Sequence, residues 1–125
     1  MPTYKIPLPP VPAARGAPGR YGFYYPARYS KFKKEAGRVI RDMFKGTAPL
    51  TSALKVGCDF ICPRPKRTDR SWPPGDYDNL LKAIWDACNE VVWVDDDQIT
   101  KMDKGEKRYA KPGEAPCIVL RVTEA

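Results

Sequence analysis

The sequence predicts an α/β (α+β) domain, a small mixed β-sheet with two helices, on three observations. Two stretches carry apolar residues at helical spacing with charged residues on the opposite face. Three others are short apolar or alternating runs of strand length. Proline-, glycine- and aspartate-rich breaks separate them in the order β-α-β-α-(β)-β, with no internal repeat. At 125 residues the chain has room for one domain, 1–125, and not for two.

The first strand is expected at 3–8, stopped by Pro9-Pro10. Residues 9–28 then read as a long loop rich in Pro, Tyr and Arg, and loops of that length in small domains are usually functional. Its Arg15, Arg20, Tyr21, Phe23, Tyr24, Tyr25 and Arg28 suit phosphate contact with base stacking. The alternative is a solvated linker with aromatics pinned on the core. Ser30 is the expected cap of the first helix, whose apolar face is Phe32, Ala36, Val39, Ile40 and Met43. Lys31, Lys34, Arg38, Arg41 and Lys45 form the opposite face, and Gly46 stops the helix.

Residues 53–62 alternate as a strand, with Leu54, Val56, Cys58, Phe60 and Cys62 on one side. A basic loop follows with Arg64, Lys66, Arg67 and Arg70, running through Trp72 to Gly75. The second helix is expected over about 79–90, on an apolar stripe of Leu80, Leu81, Ile84, Trp85 and Cys88. Asp78 stands at its expected N-cap. After the apolar run 91–94 and Asp95-Asp96-Asp97, residues 98–104 suit a strand. Residues 111–116 are the firmest break, and 117–123 close as a strand.

Composition narrows the function classes. Hydrophobic residues make up 42% and charged residues 30%, a globular balance with net charge +7. The charge is unevenly spread: 15–45 hold nine cations and two anions, whereas 76–97 hold one cation and seven anions. An acidic island in a basic chain suits a polyanion-binding surface around a carboxylate site. No histidine is present, which removes Ser-His-Asp triads, Cys–His dyads and His-ligated zinc. Cys58, Cys62, Cys88 and Cys117 lack paired C-x-x-C spacing and are expected as reduced, packed thiols. No apolar run reaches the ~18–20 residues of a membrane helix and no secretory signal opens the chain, so a cytoplasmic setting is expected.

The island has its own chemistry. Approached as extended chain, Asp76 and Asp78 point one way and Tyr77 the other, and Lys82 lies one turn beyond Asp78. Asp95, Asp96 and Asp97 follow the helix and can return to its start. Carboxylates from two loops, without His or nearby thiolate, suit Mg²⁺ or Mn²⁺ rather than zinc. Such an ion activates water at a phosphodiester held by the surrounding cations. The alternatives are a helix cap at Asp78, a solvated turn at 95–97, and Lys82 as a simple i,i+4 partner of Asp78 or Asp86.

The string Asp76-Tyr77-Asp78-Asn79-Leu80-Leu81-Lys82-Ala83-Ile84-Trp85-Asp86-Ala87, followed by Trp93-Val94-Asp95-Asp96-Asp97-Gln98-Ile99, resembles the signature of the RusA family of Holliday junction resolvases. That pattern is D-x-D-N-x-x-K-x-x-x-D-A and then W-x-D-D-x-Q-[IV]. Weaker similarity covers the opening strand, the Tyr- and Arg-rich loop and the first helix start. The resemblance implies that Asp76, Asp78 and Asp96 are metal-coordinating carboxylates, Asp95 a supporting neighbour, Lys82 the catalytic lysine and Asn79 a brace of the turn. It implies a homodimeric, Mg²⁺-dependent endonuclease cutting four-way DNA junctions in recombination and repair, in a bacterial or phage-infected cell. Arg15, Arg20, Arg28, Lys31, Lys34, Arg64, Lys66, Arg67 and Arg70 are the expected DNA contacts.

Two departures stand out. Val11-Pro12-Ala13-Ala14-Arg15 replaces a stretch that often carries Asn after the paired prolines. Trp72-Pro73-Pro74-Gly75 separates the basic loop from Asp76, where family members often place basic residues directly. Both bear on DNA contact. A flap or branched-DNA nuclease of lower selectivity and a non-catalytic branched- or single-strand-binding module remain the alternatives. Trp85, Val91, Val92 and Trp93, an apolar excess for one small sheet, place the second helix and the 98–104 strand at an expected dimer contact.

Overall fold

The computed structural model describes residues 2–14, 17–19, 22–24 and 27–125, with 17–19 and 22–24 as backbone alone. In chain order the strands are β1 (Thr3–Ile6), β2 (Ala17–Gly19), β3 (Gly22–Tyr24), β4 (Leu54–Cys62), β5 (Ile99–Met102), β6 (Lys107–Tyr109) and β7 (Cys117–Glu124). Helix α1 (Ala27–Met43) precedes β4, and α2 (Tyr77–Cys88) precedes a 3₁₀ turn at Asp96–Gln98. Four strands run in the order β1-β7-β4-β5, with β6 also paired to β4. The β1–β7 and β7–β4 pairs are antiparallel, and β5 and β6 run parallel to β4. This is the mixed sheet with two helices that the periodicity predicts.

Strand β4 is central because its alternation buries Leu54, Val56, Cys58 and Phe60 completely on one face. Ile118, Leu120 and Val122 of β7 and Ile6 of β1 continue that face. The helices cover it with Tyr29, Phe32, Ala36 and Ile40 from α1 and Leu80, Leu81, Ala83, Ile84 and Cys88 from α2. Across the sheet, Arg121 pairs with Asp59 at 2.7 Å and Asp103 at 3.3 Å. The four cysteines are unpaired and buried, and burial pushes the Cys58 thiol up to about 12.

Several boundaries differ from the sequence expectation. Helix α1 begins at Ala27, three residues before Ser30, because Ala27 and Arg28 are strong helix formers that extend it toward the N-terminus. Met43 points outward at 41% exposure, and Tyr29 and Gly37 are buried in its stead. The 9–28 segment is more than a loop: β2 and β3 pair as a short antiparallel hairpin within it. Gly46, at φ +82°, ends α1 as expected. Strand β6 was not expected, being three residues with two cations, Lys107 and Arg108. Trp93 and Val92 are buried in the core, with Trp85 and Val91 packed against it. That apolar group is consumed by this chain's own fold, which removes the reason for placing it at a dimer contact.

Candidate active site

Helix α2 starts two residues earlier than its periodicity suggests. Asp76 is the N-cap, in extended conformation, with its side chain making no cap hydrogen bond; its carbonyl accepts from Leu80 N at 3.1 Å. Asp78 therefore sits inside the first turn, where a helix N-terminus favours negative charge. Its Oδ1 accepts from Asn79 N at 2.9 Å. Tyr77, between them, points into the protein and donates its hydroxyl to the Cys58 carbonyl at 2.6 Å. The outward Asp76 and Asp78, both exposed, and the inward Tyr77 keep the alternation read from the sequence.

The return of the chain to this helix is tightly built. After Cys88 the backbone turns through Glu90, at φ +67°, whose amide donates to the Trp93 carbonyl at 2.7 Å. The Trp93 indole is fully buried and donates to Asn89 Oδ1 at 2.7 Å. Gln98 then fixes the acidic segment. Its Oε1 accepts from Val94 N and Asp95 N, each at 2.9 Å. Its Nε2 donates to Leu50 O at 2.9 Å and Ser52 O at 3.0 Å. The motif glutamine is thus a staple with all four bonds used, and Asp96 is held beside α2.

Between α1 and α2 lies a cleft of about 980 Å³. Asp78, Asn79, Lys82 and Asp86 line it from α2, opposite Ser30, Lys33, Lys34 and Arg41 of α1, with Ala13 and Ala14 at its edge. Ala13 N donates to Asn79 O at 2.8 Å, so Asn79 braces the preceding segment through its backbone. Lys82 Nζ stands 3.6 Å from Asp86 Oδ2, which is the i,i+4 pairing. It also acts on Asp96. Burial raises the Asp96 carboxyl above its ordinary range, and Asp95, Asp86 and Asp97 raise it further while Lys82 opposes them.

The acidic groups are thus near neighbours across two elements. Among the described residues, however, no three carboxylates or thiols are drawn close enough together to hold a metal ion. The chemistry of the donors still suits a hard divalent cation. They are carboxylates on an accessible surface, and the thiols that would favour a softer ion are all buried.

The expected DNA contacts fall into separate groups. Arg15 and Arg20 lie outside the described residues. Arg28, Lys31 and Lys34 are exposed on α1; Lys34 lines the cleft, while Lys31 faces Glu35 at 4.0 Å. Arg28 bears on the Cys62 thiol and so lies near the end of β4, where the basic loop departs. In that loop Arg64 covers the Tyr109 ring at 4.5 Å and Arg70 lies 6.0 Å from the Trp72 ring. Lys66 and Arg67 are exposed.

Sequence reasoning named Asp86 only as an alternative ion-pair partner of Lys82 and Arg41 only within the basic face of the first helix, and it gave Lys33 no role. Asp86 was visible as a motif residue four positions after Lys82. The signal for the α1 wall was Ser30, Lys33, Gly37 and Arg41 at helical spacing. Gly37 makes room for Arg41: a Cβ there would stand 2.9 Å from Nη1 of the guanidinium.

The family model for endodeoxyribonuclease RusA matches residues 7–121, a span that includes both helices, the acidic loop and the main sheet except β1 and the end of β7. No curated protein matches the sequence.

Proposed function

The chain belongs to the RusA endodeoxyribonuclease family, divalent-metal-dependent nucleases of branched DNA, and from that premise we propose that it resolves four-way junctions. The observation that carries this reading is the cleft, where Asp78, Lys82 and Asp86 of α2 face Lys33, Lys34 and Arg41 of α1. A basic wall opposite an acidic one suits a phosphodiester held by cations beside a site for a hard metal ion. A pure DNA-binding module gains nothing from carboxylates against the backbone.

In this proposal Asp76, Asp78 and Asp96 would close together around Mg²⁺, with Mn²⁺ as a substitute and Asp95 beside them. An ion held there would supply an activated water and would neutralise charge on the phosphate. The Lys82 ammonium, steadied by Asp86, offsets charge developing on the phosphate oxygens. Lys33, Lys34 and Arg41 hold the strand to be cut. Arg15, Arg20, Arg28, Lys31 and the 64–70 cations engage neighbouring arms by phosphate geometry. One domain, 1–125, carries all of this, including the contacts of the 9–28 segment.

Resolution requires two nicks in strands of like polarity, and a two-fold dimer presents two equivalent sites to a nearly two-fold junction. A homodimer acting in recombination and repair in the cytoplasm of a bacterial or phage-infected cell completes the reading. No described helix is long and apolar enough to cross a membrane.

The test is incubation with a mobile four-way junction, a flap and a linear duplex, each with Mg²⁺ or EDTA. Paired nicks in the junction that require Mg²⁺ are expected. Equal cutting of the flap would replace this reading with a less selective branched-DNA nuclease. Binding without cutting would replace it with a binding module.

A further inference from the structure

Three tryptophans are present, and the fold uses two of them. Trp93 is fully buried and Trp85 packs against the core. Trp72 is 58% exposed, an unfavourable position for the largest apolar side chain unless something covers it. Its loop is anchored on both sides. Arg64 rests on Tyr109 at 4.5 Å, and Lys107 Nζ donates to Pro73 O at 3.0 Å and also to Gly75 O. The Pro73 side chain next to it is fully buried. The indole is therefore presented outward by a pinned backbone. Four residues of chain place its Cα within about 14 Å of that of Asp76.

We propose that the Trp72 indole is a stacking platform for an unpaired nucleobase of the DNA substrate, adjoining the candidate active site. The occupant is argued from charge. Arg64, Lys66, Arg67 and Arg70 lie within the eight residues before Trp72, with Asp69 the one anion among them. A second copy of this chain meeting the patch about a two-fold axis would set those cations against their equivalents. A strand of nucleic acid brings phosphates for the cations and a flat π-face for the indole. Arg70, 6.0 Å from the ring, is placed to reach a phosphate flanking the stacked base. The proposal rests on the DNA-acting reading above but not on its metal chemistry.

The experiment is a fluorescence titration in EDTA, where no cleavage competes, with two probes of equal length and charge. One is an oligothymidylate of about twelve nucleotides and the other its abasic counterpart. The thymidylate is expected to quench the exposed indole and bind more tightly than the abasic strand, by about 5- to 150-fold, the range of one base–aromatic stack. Trp72→Ala should bring thymidylate affinity down to the abasic value, and Trp72→Phe should retain part of the difference. Equal affinity and quenching by the two strands would overturn the proposal. So would an unchanged thymidylate affinity in Trp72→Ala, or a dimer that sediments as monomer in that variant, which would make a second copy the occupant. Should Trp72→Ala fail to fold, the comparison of the two strands on the unaltered protein still decides. Mg²⁺-dependent nicking of a junction by that protein, measured in parallel, reports separately on the endonuclease reading.

Discussion

Tyr77 donates its hydroxyl to the backbone carbonyl of Cys58 at 2.6 Å, tying the first turn of α2 to the middle of β4. Gly105 lies against both groups, and a Cβ there would overlap the Cys58 carbonyl and the Tyr77 hydroxyl. The gap between β5 and β6 is thus the place where the site-bearing helix is fastened to the sheet.

Tyr77→Phe leaves that carbonyl without its partner and should cost about 1–3 kcal/mol, read by denaturant unfolding. Gly105→Ala should cost more, because backbone must move. Burial, followed by Cys58 and Asp59, raises the Tyr77 hydroxyl to about 12. Between the unfolded value near 10 and the folded one, the folded state binds more protons, so stability falls with rising pH. The unaltered protein should hold this contribution fully below about pH 10 and lose it as pH climbs through about 12. Tyr77→Phe should flatten that alkaline slope.

Gln98 uses both ends of its amide to hold the acidic segment against Leu50 and Ser52. Gln98→Glu places an acceptor where those two carbonyls need a donor, so it should disrupt this staple as Gln98→Ala does. Both variants should lose about 2 kcal/mol of stability, at 0.5–1.5 kcal/mol net per bond with partial rescue by water. Both should need more Mg²⁺ for half-maximal nicking. An unaltered Mg²⁺ titration would remove Gln98 from the support of the site.

Asp76→Asn should abolish nicking and change stability by less than about 0.5 kcal/mol, since the Asp76 side chain is exposed and makes no cap hydrogen bond. Asp78→Asn should also abolish nicking, and lose about 0.3–1 kcal/mol as the first turn gives up a negative charge. Junction affinity without metal should stay level or rise in each, because a charge facing phosphates is removed. Lys82→Ala should keep metal binding and slow the step by ~10²-fold or more. Full activity in both aspartate variants would reduce the island to solvated structure.

The Arg41 guanidinium occupies room that Gly37 leaves open. Gly37→Ala should leave stability unchanged or raise it by up to about 1 kcal/mol, the helix-propensity difference, because a flexible side-chain end can move aside. Junction affinity should nevertheless fall, as it should in Arg41→Ala. Arg41→Ala should also lower the slope of log affinity against log salt by about 1. A stabilised Gly37→Ala with unaltered DNA affinity would place Arg41 outside the DNA contact.

The order of elements was legible because apolar periodicity is local: α1, β4, α2, β5 and β7 each announce themselves within their own residues. Boundaries were less so. Ala27 and Arg28 moved the start of α1, and Asp76 rather than Asp78 caps α2, since Tyr77 enters the helix when its hydroxyl finds the sheet. Strand β6 carries no apolar alternation of its own and exists because Phe60, Ile61 and Cys62 of β4 supply its partners. The apolar group around Trp93 read as surplus because the depth of the core is not visible in any one segment.

What the sequence by itself determined is the chemistry at hand: hard carboxylate donors, one lysine among them, basic arms on either side, and a motif spacing that marks the family. These are contiguous strings whose meaning survives without coordinates. Only the tertiary structure decided which face meets which. It set Lys33 and Arg41 opposite Asp78 and Lys82, brought Asp96 within the influence of Asp86, and spent Gln98 on carbonyls 46 and 48 positions away. Such contacts follow from the packing of two helices on one side of a sheet, and no local preference encodes a pairing across that distance.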